Sequence, residues 1–118
     1  DVDDTDNPAH AAQQLATIPV DADRFSVLLY HRPDGWTAAR KHGIDLMLAG
    51  HTHAGQIWPF GLLVKRQFPQ MAGYFSQEQQ HMFVSQGTGT WGPTLRFGTR
   101  CEMTVIDLQP EKGKGPVS

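Results

Sequence analysis

The sequence has little of several features that would assign a protein to a class. It contains a single cysteine, Cys101, so an internal disulfide is excluded. No apolar run approaches the roughly 20 residues that a membrane-spanning helix requires. The formal net charge of −2 provides no electrostatic attraction to nucleic acid or to an anionic lipid surface. We therefore expect neither a disulfide scaffold nor a transmembrane segment in these 118 residues, and nothing indicates a nucleic-acid partner.

The residues that are present favour an α/β domain. Hydrophobic residues make up 39% of the chain and charged residues 19%, and 118 residues can bury a modest core. Near the amino terminus, Asp6 or Asn7 can cap a helix that has Pro8 at its first position. We predict that residues 1–108 belong to one domain and that residues 109–118 form a flexible tail.

A strand–helix–strand unit is the clearest pattern. Residues 24–30 and 45–49 are two apolar runs that predict buried strands. Between them, a helix-like stretch runs from about residue 35 to residue 42 and leads to Gly43, a residue suited to ending a helix. The two strands should therefore be parallel neighbours joined by a right-handed crossover.

The pattern beyond this unit is less regular. Residues 81–85, 95–97 and 103–108 predict three further strands, while residues 62–75 show no firm period. A glycine–threonine loop separates the first two of these strands.

Three histidines are placed where the predicted unit would bring them together. His51 and His53 lie on a glycine-flanked turn after the second strand, and His31 follows the first. The turn alone could be a surface turn that happens to carry two histidines. Parallel neighbours, however, end at the same edge of a sheet, so all three imidazoles should converge there. Such ligands suit zinc, manganese, iron or nickel, with no thiolate to favour a softer metal.

At these residues the chain resembles the calcineurin-like metallophosphoesterases. The family pattern runs through DxH, GD, GNH, a lone histidine after a strand, and GHxH. His31 matches the lone histidine and residues 50–53 match the GHxH box. Residues 54–57, 73–75 and 87–98 are similar to segments of the bacterial membrane-associated branch. The resemblance extends from about residue 2 to residue 108.

The resemblance also has a clear departure, because the DxH, GD and GNH motifs are absent. It implies the carboxyl-terminal half of a longer protein, whose fold would be an α/β/β/α sandwich with mixed sheets. The other half would supply the aspartates, the asparagine and further histidines. Half a sandwich would leave strand faces without cover, so we expect this chain to self-associate or to need the other half.

For the parent protein, the resemblance implies a metal-dependent hydrolase of phosphomonoesters or phosphodiesters with two divalent metal ions. His31 and His51 would serve one metal and His53 the other. Thr52, Gly89 and Arg96 are expected to contact the phosphoester substrate, Gly89 through a backbone cradle and Arg96 through a bidentate fork. The branch also implies that the parent is associated with a membrane.

Several alternatives stay open at the level of sequence. The glycine–threonine loop can simply join strands, and Arg96 can pair with Glu102 or Asp107 in a sheet. Asp34 can orient His31 or, as we favour, cap the following helix. The competing function is a non-catalytic module that binds one metal through its histidines or presents a surface to a partner.

Overall fold

The computed structural model of the protein describes residues 8–57, 61–67, 69–70, 72–90, 92 and 94–110. Three helices and four strands follow one another along this part of the chain. In order they are α1 (Pro8–Leu15), β1 (Val27–Leu29), α2 (Trp36–Lys41), β2 (Leu46–Ala49), α3 (Gly61–Gln67), β3 (Gly73–Gln77) and β4 (Gln80–Val84). Two short 3₁₀ turns, Pro33–Gly35 and His53–Gly55, precede α2 and α3.

The four strands form one mixed sheet in the order β1-β2-β4-β3. β1 pairs with β2 in parallel, from Val27 opposite Leu46 to Leu29 opposite Leu48. β2 is parallel to β4, and β3 is antiparallel to β4 because the two are joined by a tight hairpin. The predicted α/β class with a mixed sheet is confirmed, and α2 is the crossover between two parallel strands.

The core lies between one face of this sheet and helices α1 and α2. Side chains that point alternately from each strand supply one half of the core, and the apolar stripe of each helix supplies the other. The core cluster consists of Ala11, Leu15, Leu28, Tyr30, Trp36, Ala39, Ile44, Met47, Ala49, Met82 and Val84. Met47 and Met82 are fully buried on adjacent strands. Fully burying a side chain of this size stabilises the fold by roughly 1.5–3 kcal/mol.

The opposite face of the sheet is open at β1. Leu28 is buried, but its neighbours Val27 and Leu29 are 46% and 73% exposed. Towards the middle of the sheet, Leu48 and Phe83 are half-buried. The alternation of buried and exposed residues along β1 is typical of a strand that has a core on one side only.

The carboxyl-terminal strands predicted from the sequence are wrong. Phe97 forms only an isolated parallel bridge with Ile57, and residues 101–110 form no ladder. In this segment Met103 and Val105 are 86% and 90% exposed. Its apolar pattern suits a strand, but a strand also needs a neighbouring edge, and none of the described strands pairs with it.

The structure corrects other boundaries as well. Residues 62–75, for which no period was recognised, contain most of α3 and the start of β3. The first strand is shorter than predicted, three residues against seven. The proposed caps Asp6 and Asn7 lie outside the described residues, as does the predicted tail from residue 111 onward.

Met47→Ala should destabilise the chain by about 2–5 kcal/mol, because it leaves a cavity in the core between two strands. Urea unfolding followed by circular dichroism measures this loss. Met103→Ala is the matched control, and since Met103 is 86% exposed the change should stay within about 0.5 kcal/mol. Equal losses for the two variants would contradict the assignment of the core.

Candidate active site

Parallel pairing of β1 with β2 brings His31 and His51 to the same edge of the sheet. The backbone N–H of Gly50 donates to the carbonyl oxygen of His31 at 2.9 Å, which extends the pairing past the last strand residues. The two imidazole rings lie edge to face, with centroids 4.8 Å apart and planes at 85°. Two imidazole rings therefore lie in contact at the carboxyl ends of the parallel strands.

The turn that carries His51 has an unusual backbone. Four of its non-glycine residues have positive φ angles, at His51 (67°), His53 (45°), Ala54 (50°) and Gln56 (49°). Such angles cost a non-glycine residue of the order of 1–3 kcal/mol and persist only where the surroundings enforce them. Strain of this kind is concentrated at functional sites, so its position in the histidine turn supports a functional role for the turn.

Gln56 fastens this turn to the segment that follows residue 94. Its side-chain amide donates to the carbonyl oxygen of Leu95 at 3.0 Å. Its backbone carbonyl oxygen accepts from the Phe97 N–H at 2.9 Å and from Thr99 Oγ1 at 3.1 Å. Gln56 is buried, and these hydrogen bonds hold the turn against the later segment. The sequence motif contained Gln56, but nothing in the sequence alone assigned it this role.

Gly55 allows the first residue of α3 to approach the turn. A Cβ atom on Gly55 would lie 2.2 Å from the Cα of Gly61, and its φ of 76° also favours glycine. Thr52, which is buried, supports the turn from within, since its hydroxyl accepts from the Ala54 N–H at 3.4 Å. The predicted contact of Thr52 with a substrate stays a prediction.

His53 points towards the glycine loop and Arg96. Nη2 of Arg96 lies 3.1 Å from Nδ1 of the His53 ring. A Cβ atom placed on Gly87 would lie 3.6 Å from the same ring. Arg96 also donates to the carbonyl oxygen of Gly89. The structure thus brings His53, Gly89 and Arg96 into one cluster.

The alternative partners considered for Arg96 and Asp34 are wrong. Among the described residues Arg96 reaches neither Glu102 nor Asp107, because its donors go to carbonyl oxygens and to His53. Asp34 does not cap α2, which begins after Gly35 without a side-chain cap. It accepts instead from Arg32, whose Nη2 lies 2.8 Å from Asp34 Oδ2.

Arg32 is a site residue that the sequence analysis missed. It directly follows His31, is buried, and forms a charge-assisted fork with one oxygen of Asp34, at 3.0 Å from Nε and 2.8 Å from Nη2. A buried arginine needs such a partner. The signal in the sequence was the pair of opposite charges on either side of Pro33.

The donor set fits a divalent first-row cation in its chemistry, because imidazole suits zinc, iron and nickel. Within the described part of the chain, no group of three or more histidine, cysteine, aspartate or glutamate side chains is arranged to hold a metal ion. Among these residues, His31 and His51 therefore form a pair that neither His53 nor a carboxylate completes, so the predicted convergence of all three imidazoles at one metal position is not found. The roles of His31, His51 and His53 as ligands stay predictions.

Comparison with curated proteins shows the family to which this chain belongs. An uncharacterized metallophosphoesterase of Campylobacter jejuni is 39% identical over 104 residues, which is 86% of this chain and 28% of the relative. A metallophosphoesterase of Bacillus subtilis, also uncharacterized, is 35% identical over 89 residues, 72% of this chain and 31% of the relative. The chain belongs to the metallophosphoesterase family.

The metallophosphoesterase relatives are much longer than this chain, which spans between about a fifth and a third of the length of those named here. One of them, from Bos taurus, is named a transmembrane protein with a metallophosphoesterase domain and is 38% identical over 104 residues, 87% of this chain and 21% of the relative. In the described part of this chain, no helix is long and apolar enough to cross a membrane. No family model and no solved structure matches the chain.

The environment of His53 lowers its pKa below the ordinary value of 6.5. Desolvation by burial is the largest cause, followed by the positive charges of Arg96 and His31, while a backbone hydrogen bond at Gly89 opposes them. The neutral imidazole, which is the form that binds metals, is thus favoured at physiological pH.

NMR titration of the metal-free folded chain should place the His53 midpoint below 6.5, while the same residue in urea-unfolded chain returns to its ordinary value. Between the folded-state pKa and pH 6.5, His53 binds more protons in the unfolded chain than in the folded chain. The contribution of His53 to the free energy of unfolding is therefore fully present above pH 6.5 and is lost as the pH falls through the folded-state pKa. A folded-state midpoint at or above the unfolded one would contradict this environment.

Proposed function

We propose that the longer parent of this chain is a metal-dependent phosphoester hydrolase and that this chain supplies imidazole ligands to its metal centre. The observation that carries the proposal is the contact between the His31 and His51 rings at 4.8 Å, at the carboxyl ends of two parallel strands. In open α/β sheets this edge is where ligands bind. Membership of the metallophosphoesterase family supports a metal-binding role for the pair.

In this proposal His31 and His51 hold one divalent cation and His53 contributes to a second. Zinc, iron and nickel match the nitrogen donors, while manganese would need oxygen ligands in addition. Divalent cations in such a centre supply Lewis-acid stabilisation of charge on phosphoryl oxygens. The residues of this chain contribute orientation: the strained turn at residues 51–56 fixes the angle between the rings, and Gln56 together with Arg32 holds the two loops that carry them.

The substrate class is a phosphomonoester or phosphodiester, in keeping with the family. Thr52, Gly89 and Arg96 are proposed to lie along the phosphate side of the centre, since all three are on the turn or the loops next to His53. The relative from Bos taurus is named a transmembrane protein, which supports a membrane-associated parent.

A non-catalytic metal-binding module is the second candidate. One observation favours it for this chain taken alone, because no carboxylate joins the imidazole pair among the described residues. Two cations in one hydrolytic centre are commonly about 3.5–4 Å apart and need bridging oxygen ligands. Imidazoles alone do not provide such a bridge, so hydrolysis should require the longer parent.

Calorimetric titration with Zn²⁺ and Mn²⁺ tests the ligand assignment. His51→Ala should weaken binding by more than the roughly 10–100-fold that is lost when only an outer partner of a ligand is removed. His42→Ala is the matched control, since His42 ends α2 and its ring contacts the Ile18 carbonyl at 2.7 Å, away from the pair. Equal binding by the two variants would overturn the assignment.

Parallel assays with an aryl phosphodiester separate the two candidate functions. The longer parent should hydrolyse it in the presence of metal and should lose activity on His51→Ala, while this chain alone should not exceed background. A parent that binds metal through these histidines without hydrolysing any phosphoester would favour the non-catalytic module.

We also propose that this chain self-associates through its open sheet face, as Val27 and Leu29 leave an apolar strand exposed there. Sedimentation should show oligomers that Leu29→Ser shifts towards monomer. Leu62→Ser is the matched control, because Leu62 is 67% exposed and lies on α3, which packs against the turn at His53–Gly55. A compact monomer at high concentration would contradict the proposal.

A further inference from the structure

The guanidinium of Arg96 lies among backbone carbonyl oxygens of the glycine loop (residues 86–90). Nε and Nη2 both donate to the Gly89 carbonyl, Nε at 3.1 Å, and Nη2 also donates to the Gln86 carbonyl at 2.7 Å. Nη2 carries two hydrogens and Nε carries one. These two carbonyls therefore engage every hydrogen on the Nε–Nη2 edge of the guanidinium.

This arrangement is incompatible with a bidentate fork from Arg96 to a phosphate. A fork uses two N–H donors on one edge of the guanidinium, and both of its edges include Nη2. The Gly89 carbonyl occupies the position between Nε and Nη2 that a phosphate oxygen would take. On the other edge, Nη1 lies 3.4 Å from Thr99 Oγ1 and from the Arg100 carbonyl. Direct contact with a substrate would thus require Arg96 to release the loop.

The loop that Arg96 holds is packed against the histidine turn (residues 51–56). A Cβ atom on Gly87 would lie 3.6 Å from the ring of His53. The Gly87 carbonyl accepts from the Glu102 N–H at 3.0 Å, so the loop is also bonded to the segment that follows Arg96. Carbonyl oxygens that face one another repel, and a cation among them offsets that repulsion. Arg96 supplies both the positive charge and the donors that this loop conformation needs.

We propose that Arg96 is a positioning residue that holds the glycine loop against the histidine turn and does not bind the substrate phosphate. Positioning takes the place of the bidentate fork expected from the sequence. Charge alone is insufficient, because the loop carbonyls are bonded by the donors of a planar fork that lysine lacks. The catalytic effect of Arg96 rests on the proposed function, whereas its contacts with the loop concern the metal-free chain alone.

Amide hydrogen exchange of the whole metal-free chain tests the contacts with the loop. The Glu102 N–H reports on the loop, because its acceptor is the Gly87 carbonyl, and the N–H of the fully buried Met82 reports on the sheet. Arg96→Ala and Arg96→Lys should speed exchange at Glu102 about tenfold or more and leave Met82 unchanged. The matched control Arg100→Ala removes an exposed positive charge four residues away and should change neither rate.

Three results of this experiment would overturn the proposal. One is unchanged exchange at Glu102 in Arg96→Ala. Another is equal acceleration at Glu102 and Met82 in Arg96→Lys, because Arg96 would then stabilise the whole fold and not the loop. The third is wild-type exchange at Glu102 in Arg96→Lys, because charge without the planar fork would then suffice. The lysine variant therefore decides the outcome if the alanine variant does not fold.

Inorganic phosphate added to the metal-free wild-type chain tests for a direct contact. The ¹⁵N signal of Arg96 Nε should not move, because its hydrogen stays on the Gly89 carbonyl. A saturable shift of that signal would identify Arg96 as a phosphate ligand and would contradict the positioning role.

Kinetics of the longer parent with an aryl phosphodiester distinguish positioning from substrate binding. Arg96→Ala should lower kcat by about 100-fold and leave KM nearly unchanged, because misplaced groups lose transition-state stabilisation. A rise in KM at constant kcat would assign Arg96 to substrate binding and would overturn the proposal. A parent without hydrolytic activity would contradict the proposed function, while hydrogen exchange in this chain would still decide the role of Arg96.

Discussion

Everything at the candidate site depends on the parallel pairing of β1 with β2. Parallel strands end at the same edge, and the bond from the Gly50 N–H to the His31 carbonyl continues the pairing into both loops. Without it His31 and His51 would belong to separate loops, with no reason for their rings to lie 4.8 Å apart. The core beneath, with Met47 at its centre, supplies the free energy that keeps the two strands in register.

Polar contacts around the histidine turn fix the geometry of the site. The turn from His51 to Gln56 adopts left-handed angles that cost free energy, and the bonds of Gln56 and the guanidinium of Arg96 offset that cost. Both residues connect the turn to segments some 40 residues later in the chain. The site is therefore stabilised by long-range polar contacts around a strained turn, whereas the sheet is stabilised by apolar burial.

This division explains what the sequence could and could not predict. The strand–helix–strand unit follows from apolar runs and a glycine after a helix, which are local signals, and the edge shared by His31 and His51 follows from strand polarity. The role of Gln56 and the pairing of Arg32 with Asp34 depend on contacts that have no local period. The apolar pattern at residues 103–108 suited a strand, but pairing depends on a neighbouring edge that a local pattern cannot reveal.

Family membership and the His31–His51 contact support the central proposal that imidazoles of this chain bind a divalent metal. X-ray absorption at the zinc edge of the Zn²⁺-loaded chain tests it most directly, because scattering from imidazole rings is distinctive and Zn–N distances are about 2.0–2.1 Å. The account predicts at least two imidazole nitrogens at that distance, and fewer in His51→Ala. A shell made only of oxygen, or one that His51→Ala leaves unchanged, would contradict it.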